Sequence, residues 1–255
     1  MRAAWIPVAI VALLGLTGCG GGGHSYPARA TVEGPIVDGS DPARGVWLFQ
    51  PAGKPKRMVI FFHGQGGPEE ATPVNHRPWI DHMVKQGAVV IYPRYEQDYA
   101  AGVLGPAIAG VKTANERLGQ PDLPVLAIGY SRGGALAVEY AAASAGKHVP
   151  VPDIIESINT VSFGEQTHPT DLRPLRPKTV LALIVSDQDS LGAQGARGLL
   201  VRLRKGGFPG GQIELNFAHS HGSFTADHLA PLELSPNARK AYWDPTDALL
   251  RKLSA

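Results

Sequence analysis

The chain reads as short, unbroken apolar runs separated by longer stretches in which apolar residues recur at helical spacing. Runs at 57–62 (Arg-Met-Val-Ile-Phe-Phe), 88–92, 125–128 and 179–185 (Thr-Val-Leu-Ala-Leu-Ile-Val) hold almost no polar residue. A strand with one wet face alternates apolar and polar positions, whereas a strand buried on both faces of a parallel sheet is apolar throughout. Further strands are predicted at 46–51, closed by Pro51-Ala52-Gly53-Lys54-Pro55, at 213–217, and, with more mixed polarity, at 154–161. Between them, 69–87 carries a helical pattern, with Trp79, Ile80, Met83 and Val84 apolar and Gly87 as the stop. Residues 99–118, 132–145, 195–205 and 237–253 also read as helices, the last broken or restarted at Pro245. Strands therefore alternate with helices from about residue 57 onward, which predicts an α/β fold with a parallel sheet covered on both faces. Residues 164–178 hold three prolines and no periodicity, and read as a loop too short to form a helical cap.

Composition narrows this picture in two places. At 255 residues, with 44% in the hydrophobic set, the chain suits one domain with a sizeable core. Its formal net charge of +2 gives no field that would draw nucleic acid.

The N-terminus stands apart from the fold. Arg2 precedes an apolar run from Ala3 to Leu16. That run suits the h-region of an export signal, and is too short and too closely followed by glycines for a membrane-spanning helix. It ends in Leu16-Thr17-Gly18-Cys19, which resembles a bacterial lipobox. The resemblance implies that residues 1–18 are a signal peptide and that Cys19 is acylated. It further implies a place in the cell envelope, anchored to the outer membrane or cell surface on the extracytoplasmic side. Cys19 is the only cysteine, so no internal disulfide is available. Gly20 to Gly23 form a leash, residues 19–41 a tether, and 42–255 the domain. Within the tether, residues 24–41 read either as leash or as a first edge strand.

Several of the apolar runs open into loops with chemical character. The run at 125–128 passes into Gly129-Tyr130-Ser131-Arg132-Gly133 and then an alanine-rich helix. A serine hydroxyl attacks poorly unless it is held out of the fold beside a base, and a sharp strand-to-helix turn provides that exposure. Ser131 is the candidate nucleophile; the alternative is a serine that merely caps the helix. After 57–62 comes His63-Gly64-Gln65-Gly66-Gly67, which lacks the spacing and lysine of a phosphate-binding P-loop. Glycines there allow backbone amides to approach an oxygen that gains charge. The amides of Gln65 and Arg132 are the predicted donors, with His63 structural. Tyr95, after 88–92, either lines a substrate pocket or is a surface aromatic packing on a loop. Ser186-Asp187-Gln188-Asp189 follows 179–185, and His219, His221 and His228 follow 213–217.

Serine, acid and histidine, each beyond a buried strand and in that order, follow the triad order of α/β hydrolases. With the glycine-rich loop upstream, the chain from Val46 onward resembles an α/β-hydrolase-fold esterase. The resemblance implies a mostly parallel central sheet, helices on both faces and no large cap domain. Members often carry Gly-x-x-Asp after the acid strand, which selects Asp189, with Ser186 in place of the glycine and Asp187 as the alternative. Cutinase-like and polyester-hydrolase-like members place their base in Ser-His-Phe-Ala-Pro. Ala226-Asp227-His228-Leu229-Ala230-Pro231 is similar to that and selects His228. The long interval from the strand keeps His221, and then His219, as competitors. The implied activity is hydrolysis of a small or lipid-like ester through a Ser-His-Asp triad and an acyl-enzyme. A peptidase or thioesterase on the same triad, and a non-catalytic surface-binding protein, are the rival expectations. No cofactor or metal is implied, since His219-x-His221 alone is a poor metal signal.

Overall fold

The computed structural model describes residues 26–36, 45–65, 72–95, 102–161 and 170–253. The expectations for the export signal, Cys19, the glycine leash and Gly66-Gly67 lie outside the described residues. Eight strands form one sheet: β1 (Thr31–Ile36), β2 (Val46–Gln50), β3 (Arg57–Phe62), β4 (Ala88–Pro93), β5 (Val125–Tyr130), β6 (Ile154–Ile158), β7 (Val180–Ser186) and β8 (Ile213–Ala218). Their spatial order is β1-β2-β4-β3-β5-β6-β7-β8. β1 and β2 pair antiparallel, and β2 pairs antiparallel with β4. From β4 to β8 every pairing is parallel.

The unbroken apolar runs are explained by two cores, one on each face of the sheet. Successive strand residues point to opposite faces. Thus Met58, Ile60 and Phe62 of β3 enter one core, while Val59 and Phe61 enter the other. The first core is closed by helices α2 (Leu104–Arg117), α3 (Arg132–Ser144) and α4 (Ser190–Lys205). The second is closed by α1 (Arg77–Lys85) and the C-terminal helices α5 (Pro236–Ala238) and α6 (Asp244–Lys252). In it, the Phe61 ring meets His76, Trp79 and Tyr92 with centroids 4.8 to 5.9 Å apart. Burial of one such side chain contributes about 1.5–3 kcal/mol.

The structure redraws several boundaries. Of the two readings of residues 24–41, the edge strand holds for residues 31–36, which form β1 paired to β2, inside the span assigned to the tether. α1 begins at Arg77 rather than 69, because Pro73 opens a separate 3₁₀ turn, Pro73–Asn75. α4 begins at Ser190 rather than 195, because the Asp189 side chain accepts the Gly192 N–H and caps it. β6 stops at Ile158, where Asn159 turns left-handed with φ 45°. The C-terminal segment does restart at its proline. A π-helical turn, Arg239–Trp243, directly precedes α6. Pro245 has no N–H for the carbonyl four residues earlier, so the ladder slips at that point. Residues 170–178 contain no helix, and no large cap is present among the described residues.

Candidate active site

The site is assembled from the C-terminal ends of β3, β5, β6 and β7 and from the loop after β8. The turn between β5 and α3 is its most constrained part. Ser131 sits there with φ 56° and ψ −124°, a backbone conformation that L-residues rarely adopt. Three backbone hydrogen bonds hold it. Its N–H donates to Ile158 at 2.9 Å, and its carbonyl accepts from Gly134 and Val161 at 3.0 Å each. The flanking glycines are required by close approach. A methyl on Gly129 would run into the Gly133 carbonyl, and one on Gly133 into the carbonyl oxygens of Phe62 and His63.

His228 lies between Ser131 and Asp189. Its Nε2 is 3.0 Å from Ser131 Oγ, and its Nδ1 is 2.7 Å from Asp189 Oδ2. A carboxylate only accepts, so the imidazole proton belongs on Nδ1, leaving Nε2 to accept the serine proton. The Asp189 side chain is almost fully buried, and its Oδ1 accepts from the Gly192 N–H at 2.9 Å. The imidazole keeps 26% of its surface exposed, which leaves the site open to solvent on that side.

The competing acid and histidines have other work. Asp187 accepts from the Ser220 N–H at 2.9 Å and the Ser220 hydroxyl at 2.6 Å. These bonds, hydroxyl first, hold its carboxyl below the usual range. Ser220 Oγ in turn accepts the Ala226 N–H at 2.9 Å, and Gln188 N–H donates to the Ala226 carbonyl at 2.9 Å. The interval between β8 and His228 is therefore a folded loop stitched to the acid loop. His219 is exposed with its Nδ1 3.6 Å from Asp187, and His221 turns its Nδ1 to the His219 carbonyl at 3.0 Å. The structure brings Ser131, Asp189 and His228 together and leaves Asp187, His219 and His221 outside that chain of contacts.

The glycine-rich loop rests on the elbow. A Cβ on Gly64 would lie 3.2 Å from Ser131 Cβ. His63 is buried, its ring stacked on Tyr95 with centroids 3.9 Å apart, and its Nδ1 lies 2.7 Å from the Gly64 carbonyl. Tyr95 is itself buried and donates its hydroxyl to the His63 carbonyl. Tyr95 is therefore an interior packing residue beneath the glycine-rich loop, not the surface aromatic that the sequence offered as the alternative to a pocket wall. Gln65 extends exposed from this anchored pair. Arg132 opens α3, so its amide has no intrahelical acceptor. Its side chain is buried, with Nη2 3.4 Å from Glu139, which Arg202 also reaches at 3.3 Å.

Three supports escaped the sequence reading. Tyr130 donates its hydroxyl to the His228 carbonyl at 2.9 Å. Asn159 bonds to both Ser186 and Asp227. Ser186, the residue in the glycine position, has its hydroxyl 2.7 Å from that of buried Tyr242. A polar residue ending an apolar strand was the available signal for Asn159, but its partners lie 27 and 68 residues away.

No family model and no curated protein matches the chain. Solved structures do. Esterase B of Lactobacillus rhamnosis, in a structure with a C4-C4 SN3 tributyrin phosphonate, is 16% identical with a TM-score of 0.64. That match covers 90% of this chain and 88% of the other. MGS-M1, an alpha/beta hydrolase from a Medee basin deep-sea metagenome library, is 16% identical with a TM-score of 0.62 over 89% of this chain and 99% of its own. A bacterial heroin esterase is 15% identical with a TM-score of 0.60 over 89% and 84%. At these identities the likeness shows the fold, and the fold is that of the α/β hydrolases.

Proposed function

We propose that the chain is a serine carboxyl-ester hydrolase. Ser131 attacks the ester carbonyl while His228 Nε2 takes its proton. The amides of Gln65 and Arg132 hold the oxyanion, and Asp189 orients the imidazole and stabilises its charged form. His228 then returns the proton to the leaving alcohol, and water clears the acyl-enzyme by the same route. The observation that carries this reading is the His228 ring, 2.7 Å from a buried carboxylate on one side and 3.0 Å from the elbow hydroxyl on the other. Esterase names among the similar structures agree with it. The lipobox-like Leu16-Thr17-Gly18-Cys19 supports export and anchoring through acylated Cys19.

Turnover of short-chain p-nitrophenyl esters tests the activity. Wild type is expected to hydrolyse them and to react with a fluorophosphonate probe. Ser131→Ala is expected to lose the label and at least about 10³-fold in kcat. A variant that still labels like wild type makes Ser131 the wrong nucleophile. Incorporation of labelled palmitate, lost in Cys19→Ser, tests the anchor.

A further inference from the structure

Asn159 is fully buried where β6 ends, with a left-handed backbone at φ 45° that asparagine tolerates better than most residues. Its own N–H donates to the Ile184 carbonyl at 2.9 Å, pinning it to β7. Its side chain reaches two ways. Oδ1 accepts the Ser186 N–H at 3.0 Å, and Nδ2 donates to the Asp227 carbonyl at 3.2 Å. An N–H can only donate and a carbonyl can only accept, so this orientation of the amide is forced. Ser186 ends the strand that leads to Asp189, and the Asp189 N–H donates back to the Ser186 carbonyl at 3.2 Å. Asp227 directly precedes His228. One short, rigid side chain thus spans the strand that carries the carboxylate and the loop that carries the imidazole.

We propose that Asn159 is a positioning residue that sets the separation of Asp189 and His228. It touches neither substrate nor reacting atoms. Its consequence for rate rests on the esterase reading; its consequence for the Asp189–His228 hydrogen bond does not. The 2.7 Å bond joins loops that have no common secondary structure, so their register depends on cross-links such as this amide. A misplacement of about 1 Å in such a pair costs as much as about 10²-fold in rate.

Two variants separate positioning from packing. Asn159→Gly keeps the left-handed backbone and removes both bonds. Asn159→Asp keeps size and the acceptor for Ser186 but cannot donate to the Asp227 carbonyl. The first readout needs no substrate: the low-field proton resonance of the imidazole Nδ1–H, assigned by its absence in His228→Ala. It is expected to shift upfield or broaden away in Asn159→Gly. The second is p-nitrophenyl butyrate kinetics. For Asn159→Gly, kcat is expected to fall about 10- to 100-fold with KM within about twofold. Asn159→Asp should fall between, and carries the same readouts if the glycine variant does not fold. If both variants keep the resonance and kcat while only stability drops, Asn159 is a packing residue and the proposal is overturned. If the resonance responds but wild type hydrolyses no ester, the positioning stands and the esterase reading fails.

Discussion

Across the 3.0 Å contact between Ser131 and His228, two differently built halves of the site meet. The elbow half is set by hard contacts between backbone atoms. Gly129 and Gly133 pack so closely on neighbouring carbonyls that no side chain fits. The histidine half is set by hydrogen bonds from side chains scattered along the chain: Tyr130, Asn159, Asp187 and Ser220. A steric constraint acts all or none, while a network of hydrogen bonds loses one member at a cost of about 0.5–3 kcal/mol. The elbow should therefore break under substitution, and the histidine loop should bend.

The largest expected effect follows on the elbow. Gly133→Ala places a methyl against the Phe62 and His63 carbonyls, and the helix cannot retreat without leaving the sheet. We expect a loss of more than about 4 kcal/mol, read as little or no folded protein by circular dichroism. A folded, active Gly133→Ala would show that the elbow, too, can give. On the other side of the contact, His228→Ala should fold and lose about 10²–10⁴-fold in kcat. His221→Ala, exposed on the same loop, should stay within about twofold of wild type, as surface changes of ±0.5 kcal/mol allow. Equal losses in both histidine variants would mean that the loop is one cooperative unit rather than a scaffold for one imidazole.

The same contrast explains what was legible in the sequence. Gly129-x-Ser131-x-Gly133 was readable because its cause is local: glycines where backbones touch, between an apolar strand and a helix of small residues. The buried strands were readable because two-sided burial forces an unbroken apolar run. The histidine was harder, since three candidates follow β8 and the choice depends on a loop closed by Asp187 and Ser220, 33 residues apart. The glycine replaced by Ser186 was visible as a departure, but its reason, a 2.7 Å bond to the Tyr242 hydroxyl, comes from a helix 56 residues on. β1 reads equally as leash or edge strand because only Glu33 and Ile36 are half-buried, which gives little core-facing signal.

The layer beneath the acid loop should respond to pH. Glu156 of β6 is fully buried, and burial pushes its carboxyl up to about 8. Thr246 Oγ1 lies 2.8 Å from Glu156 Oε2 and 3.0 Å from the Tyr242 carbonyl. One hydroxyl proton serves one acceptor, so a protonated Glu156 that donates to Thr246 leaves the threonine proton for Tyr242. The folded state holds this proton up to about pH 8, whereas the unfolded chain gives it up near the ordinary carboxyl value of 4.5. Stability then falls as pH rises between those values, by roughly 1.4 kcal/mol per unit from this group, a few kcal/mol in all. Glu156→Gln is expected to flatten that slope in urea melts from pH 5 to 8 and to be the more stable protein at pH 8. Parallel slopes for the two proteins would remove Glu156 from the account.

Asp187 carries the smallest expected effect and the sharpest test of bending against breaking. Its carboxylate collects both the hydroxyl and the N–H of Ser220, which depresses its folded pKa below the unfolded value. A depressed carboxyl stabilises the fold fully above the unfolded value and loses that contribution as pH falls through the folded one. Asp187→Asn keeps one acceptor oxygen, so the loop loses a charge rather than its whole anchor. We expect a small drop in Tm at pH 7 that closes as pH falls below about 4, with kcat within a few-fold of wild type because the contacts of His228 with Tyr130 and Asp189 are untouched. A loss of kcat as deep as that of His228→Ala would instead make Asp187 part of the acid–base machinery, and the histidine half would then be as unforgiving as the elbow.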